Sequence, residues 1–138
     1  MSTEIIAAEQ AIRARFKTEW EVTNGRTEPW YLEGEPVARG AAAYALLIIH
    51  NLTSVPAAMG ATGQGKLRRP GLIQIQCFEK TGSGRTLSTT MAKVARDIFE
   101  RESFSDVYCE TGTIRRLADD GTYIGSLAEI EFSYNEHK

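Results

Sequence analysis

Apolar and polar residues alternate most regularly between Leu72 and Phe78. Ile73, Ile75 and Cys77 fall on one side of an extended chain, and Leu72, Gln74, Gln76 and Phe78 on the other. This predicts a strand with one dry face. After Thr81-Gly82-Ser83-Gly84 the period changes: Leu87, Met91, Val94 and Ile98 recur at steps of four and three, the spacing of one stripe on a helix. Leu67 to Phe99 therefore reads as strand, glycine turn and helix around one core, the helical stripe packing on the face that carries Ile73, Ile75 and Cys77.

The same two periods organise the rest of the chain. Ile5, Ala8, Ile12 and Phe16 form the stripe of an N-terminal helix, capped by Ser2 or Thr3, with Glu4 beside the positive end of its dipole. Trp20-Glu21-Val22-Thr23 alternates as a short edge strand closed by Asn24-Gly25. Arg26 to Gly40 mixes prolines, glycines and charges without a period, so a loop anchored by Trp30 and Tyr31 is expected there. Ala43 to Thr53 is rich in strand formers, and Leu46 to Ile49 is apolar on both faces, as for a central strand covered on two sides, one of them by another subunit. Pro56 to Gly65 is small and flexible, a long connection between two strands.

Past the central helix, Glu102 to Asp106 reads as a turn. Val107 to Leu117 and Thr122 to Tyr134 read as a hairpin around Asp119-Asp120-Gly121. Ile124, Ala128, Ile130, Phe132 and Tyr134 share the core face of the last strand, opposite Glu129 and Glu131. The order of elements predicts a single α+β domain over residues 1–138: a mainly antiparallel β-sheet with two α-helices packed on one face.

Composition narrows the function. At 138 residues, 42% of them hydrophobic, the chain can bury one core without needing a second domain. A net charge of -2 argues against non-specific duplex binding, which requires several phosphates to be neutralised. Lys66, Arg68, Arg69, Lys80 and Arg85 nevertheless make residues 60–85 basic against the single acid Glu79, in an otherwise acidic chain. Such a patch suits an acidic protein partner or a nucleic acid, and plain solvation of a strand end as well. Cys77 and Cys109 lack a CxxC spacing and sit in strand-like runs, so buried thiols in a reducing compartment are expected. The N-terminus lacks a signal-peptide pattern and the longest apolar run, Ala41 to Ile49, is too short for a bilayer, so the expectation is a soluble chain made inside the cell, with no membrane partner.

The sequence supplies little catalytic material. Thr81 to Thr86, between a strand and a helix, suggests a phosphate cradle, but the Walker lysine is missing and Leu87 stands where a dinucleotide fingerprint has its third glycine. A plain turn binding no nucleotide is expected. His50 and His137 are the only histidines, so no triad forms, and His50 on its strand reads as structural. No short metal-ligand spacing occurs. Asp97, Glu100, Glu102 and the pair Asp119-Asp120 read as a solvated helix face and a turn. No residue is assigned a catalytic, cofactor-binding or metal-binding role, and the chain is expected not to be an enzyme.

The run RRPGLIQIQCFEKTGSGRT, the amphipathic helix after it and the closing strand YIGSLAEIEFSYNE resemble the tail terminator proteins of long-tailed bacteriophages, the group related to the lambda minor tail protein U. In that group basic residues and a glycine precede an alternating strand, a G-x-G turn opens a helix, and the last strand ends in an aromatic-acidic pair, here Tyr134 and Glu136. The likeness spans residues 66–136 and the plan of an N-terminal helix; Arg26 to Gly40 departs from it most.

The resemblance implies a structural virion protein, made in the bacterial host cytoplasm and resident in the tail. It would close into a ring of six copies, cap the tail tube, end tube polymerisation and provide the head-joining surface. Its implied partners are itself, the tube protein and a head-tail joining protein, without direct nucleic-acid specificity. Another neck or head-tail joining protein is the nearest alternative; a small phosphate-ligand enzyme using the Gly82 to Thr86 turn is the alternative from a different class. The strand apolar on both faces, the long connection and the gathered basic charge point to an interface that includes Pro56, Met59, Lys66, Arg68 and Arg69.

Overall fold

A computed structural model of the protein describes residues 3–36, 41–52, 66–82 and 84–137. Helix α1 (Thr3–Lys17) runs into a π-helical turn (Thr18–Thr23), followed by strands β1 (Trp30–Leu32), β2 (Ala43–Asn51) and β3 (Lys66–Lys80), helix α2 (Thr86–Phe99), and strands β4 (Ser103–Phe104), β5 (Val107–Leu117) and β6 (Tyr123–His137). The strands form one six-stranded sheet in the order β1-β2-β3-β6-β5-β4. Every neighbouring pair is antiparallel except β1 with β2. The fold is α+β, with two helices and a curled, mostly antiparallel sheet.

β3 and β6 are the middle of the sheet, each 15 residues long, and pair in one register from Lys66 with His137 to Lys80 with Tyr123. Their inward positions follow the period of two. Ile73, Ile75 and Cys77 lie beside Ile130, Ala128 and Ser126, and the apolar members of this set belong to the main core with Ala45 and Leu47 of β2. β2 therefore stands second from an edge rather than at the centre. Its length of nine residues matches the nine register pairs it makes with β3.

α1 packs as its stripe predicts: Ala8, Ile12 and Phe16 are buried and Ile5 packs against the core. The helix starts at Thr3; the capping role given to Ser2 lies outside the described residues. α2 is rotated from its expected stripe. Ser88, Met91, Ala92, Ala95, Ile98 and Phe99 are buried, whereas Leu87 is 36% exposed and Val94 only partly covered. The small side chains Ser88, Ala92 and Ala95 let the helix backbone approach the sheet closely, and that approach, rather than the largest apolar residues, sets the buried face.

Two further expectations are corrected. Trp20 to Thr23 is not a strand. It continues α1 as a π turn, which places Trp20 in the core with no exposed surface. Its ring stacks on Phe16 at 5.1 Å and its indole N–H donates to the Glu28 carbonyl at 3.1 Å. The edge strand is instead Trp30–Leu32, inside the segment expected to be a loop, running parallel to β2 with Trp30 opposite Ala45. Trp30 earns its place by packing edge-on against Phe16, centroids 5.0 Å apart, while its indole N–H donates to Glu21 at 2.7 Å. That bond is the first cause holding the Glu21 carboxyl below its ordinary range.

Two glycines let β3 and β6 curl together. A Cβ on Gly71 would stand 2.3 Å from Phe132 Cζ and 2.8 Å from the His50 carbonyl oxygen. A Cβ on Gly125 would stand 2.9 Å from the Cys77 carbonyl oxygen and 2.9 Å from Phe78. Phe132 is register partner of Gly71, and Phe78 of Gly125. Each aromatic ring thus lies over the glycine opposite it, one near each end of the strand pair and on opposite faces of the sheet.

Candidate functional site

Past the last β2 pair, Asn51 with Gly71, and the last β5 pair, Val107 with Tyr134, Lys66–Arg68 and Asn135–His137 pair only with each other among the described residues. Pro70 sits where this becomes possible: it has no N–H to donate toward the β2 side, and its carbonyl accepts from Leu52 N–H at 3.1 Å. The result is a two-stranded arm reaching roughly 10 Å past its neighbours at about 3.3 Å per residue. Arg68 is exposed on it, with its guanidinium 5.9 Å from the centre of the Tyr108 ring. Arg69 is half-buried on the opposite face.

The basic residues gathered in the sequence are divided in space. Lys80 is twelve residues from Arg68 on the same extended strand, so the two charges stand roughly 40 Å apart. Of the expected interface residues, Arg68 stands on the arm and Arg69 at its base, on opposite faces of the strand. Pro56 and Met59 lie outside the described residues, as does the Lys66 side chain.

The face of the sheet turned away from α1 and α2 carries Tyr44, Leu46 and Ile48 of β2, Leu72 and Phe78 of β3, and Tyr123 and Leu127 of β6. Tyr44 is central to an aromatic group at one end, 5.0 Å from Phe78, 5.3 Å from Tyr123 and 6.2 Å from Tyr31 between ring centroids. Burial, with Tyr123 and Asp120 nearby, raises the Tyr44 hydroxyl above its ordinary value. At the other end a polar chain crosses four strands. His50 Nε2 meets Gln74 Oε1 at 2.8 Å, Gln74 Nε2 donates to Glu129 at 2.6 Å, and Arg115 donates to the same carboxylate at 3.2 Å. The sequence did not reveal this chain, because its members come together only through strand register.

The glycine turn before α2 joins β3 to the helix. Gly82 and Gly84 have φ of 101° and 81°, which glycine alone adopts without strain, and a Cβ on either would meet nothing within 4 Å. Ser83 lies outside the described residues. The helix start already has an acceptor: the buried Glu79 side chain of β3 accepts from Ser88 N–H at 3.3 Å. Arg85 points away, donating to the Gly125 and Leu117 carbonyls at 2.9 and 3.3 Å and so tying the helix start to β5 and β6. Asp119 and Asp120 make the turn they were assigned, with Asp120 accepting from Tyr123 and Thr122 N–H groups that hold its carboxyl below the ordinary range.

Cys77 and Cys109 are buried and form no disulfide. Burial pushes both thiols up, Cys109 to about 12. Neither is expected to react with iodoacetamide in the native protein at pH 8, and both are expected to react once it is unfolded; mass spectrometry of the alkylated chain checks this. Among the described residues, no three His, Cys, Asp or Glu side chains stand together to hold a metal ion.

No family model matches this chain, and no curated protein does. Among solved structures, a protein designated only by a sequence number superposes with a TM-score of 0.62, covering 94% of this chain and 97% of its own, at 13% identity. At that identity the likeness speaks for the fold alone, and it extends over nearly the whole of both chains.

Proposed function

We propose that this protein is a bacteriophage tail terminator, a ring-forming structural subunit that caps the tail tube, ends its polymerisation and presents the surface that joins the head. The observation that carries the reading is the sheet face turned away from the helices. A sheet with one solvated face alternates apolar with polar residues. Here the outward positions of β2 run Tyr44, Leu46, Ile48 and His50, the first three apolar; Tyr44 and Leu46 are half-buried, as are Phe78 and Tyr123 beside them, and Ile48 is buried. Among the described residues neither helix packs on them. Tyr44, Leu46, Phe78 and Tyr123 thus leave a partly accessible apolar patch at one end of the face, which suits assembly with other chains. The arm with Arg68 adds a second, charged contact surface, and a head-to-tail contact between unlike surfaces closes into a ring when its rotation closes.

The sequence resemblance gives the ring its place on the tail, and the Glu79-filled helix start gives the enzyme alternative no support. The test uses purified protein added to polymerising tail tube protein. Tubes are expected to stop at bounded length with a ring visible at one end by negative-stain imaging, and a phage lacking the gene is expected to accumulate overlong tails without heads. Unbounded tubes in the presence of the protein would overturn the reading. Normal tail length with failure only of head joining would move the protein to the neck.

A further inference from the structure

On the helix side of the sheet a depression of about 240 Å³ opens between α1 and the β1 edge. Leu32, Leu47 and Ile49 line its apolar part, and Glu9, Glu33 and Glu35 stand around it. Arg13 is the one basic residue of the lining, and it is already engaged with Glu9 at 3.5 Å. Glu9 also accepts from Asn51 at 3.0 Å, and Glu35 accepts from Leu32 N–H at 2.7 Å, so both carboxylates are held in place. Glu33 is exposed and makes no ion pair among the described residues. Three carboxylates against one guanidinium leave the depression negative.

Arg68, on the arm of the same chain, carries the opposite sign and cannot reach the depression. Arg68 lies on the other face of the sheet and leans over Tyr108 of β5, toward the edge opposite β1. We infer that the depression receives Arg68 from the arm of a second copy, its aliphatic stem lying along the half-buried Leu32 and Ile49 and its guanidinium meeting Glu33 and Glu35. This rests on the ring reading and deepens it, since it names the two unlike surfaces that meet. Each subunit then offers one arm and one receptor, and the contact is head to tail.

Arg68→Glu alone, and Glu33→Arg with Glu35→Arg, are each expected to weaken association of the full chain at least tenfold in dissociation constant by light scattering and native mass spectrometry. All three changes together restore opposite charges across the contact and should recover association to within about threefold of wild type. All the altered residues are exposed, and unchanged thermal melting checks that each variant folds. Association of the wild type should also weaken with added salt, because charges at a partly exposed contact are screened. If the wild type forms rings and the charge reversals leave them intact, or the combined variant fails to recover, this pairing is wrong and the ring reading stands. If the wild type forms no ring at high concentration or on tube ends, both fall.

Discussion

Trp20→Ala is expected to lower folding stability by about 4 kcal/mol, the range for removing a large buried aromatic side chain and leaving part of its volume empty. Trp20 is fully buried, stacked between the α1 core residue Phe16 and the guanidinium of Arg26, 5.8 Å from its ring centre. Removing it also strips the Glu28 carbonyl of its indole donor, adding about 1 kcal/mol for the lost hydrogen bond. Trp20→Phe keeps much of the apolar surface and loses that bond, so a smaller cost, about 1 to 2 kcal/mol, is expected. Urea unfolding reads both. A loss under about 1 kcal/mol for Trp20→Ala, with unchanged slope, would mean that the π turn does not hold this ring in the core.

Gly71→Val is expected to cost about 3 kcal/mol or more, for a reason that depends on backbone rather than on side chains. The Phe132 ring, 2.3 Å from the added Cβ, could swing aside, but the His50 carbonyl, 2.8 Å away, belongs to β2 and moves only if the strand does. Phe132→Leu should therefore relieve part of the cost in the double variant without abolishing it, a coupling that a double-mutant cycle measures. Gly25→Ala is the control: its φ of 59° is strained for alanine, yet nothing lies within 4 Å of the added atom, so about 1 kcal/mol is expected. Equal losses at the two glycines would sink the account of how β3 and β6 curl.

Much of the fold was legible because long elements repeat their period many times. Val107–Leu117 was placed to the residue, and β3, β6 and both helices were found with their core faces nearly right. The stripe of α2 was misjudged because a period locates large apolar residues, whereas close packing selected Ser88, Ala92 and Ala95. Four residues cannot decide a period, so Trp20 to Thr23 read as a strand; the turn is fixed by the contacts of Trp20, which no local pattern carries. β1 is three residues long and exists because β2 is beside it. The candidate surfaces were harder still. Lys80 and Arg68 looked like neighbours only because chain order conceals the length of an extended strand. Glu9 and Glu33 looked unrelated, yet α1 and the end of β1 bring them to one depression. At the glycine turn, by contrast, the missing Walker lysine and third glycine were visible directly in the sequence.

The two outermost strands, three and two residues long, bear on how the protein behaves when it is abundant. A long unpaired outer strand offers a row of backbone donors and acceptors that any other chain can extend, in either direction and without limit, which is the geometry of fibrils. At β1 and β4 there is little such backbone to copy, and beyond β4 the outer backbone of β5 is engaged within the chain: the Glu110 carbonyl accepts from Arg101 N–H, Gly112 N–H donates to Glu100, and the Leu117 carbonyl accepts from Arg85. Association, where it occurs, is thereby left to side-chain surfaces, which accept a partner in one orientation and exclude off-register stacking. A cell can therefore hold many copies of such a chain without precipitating it.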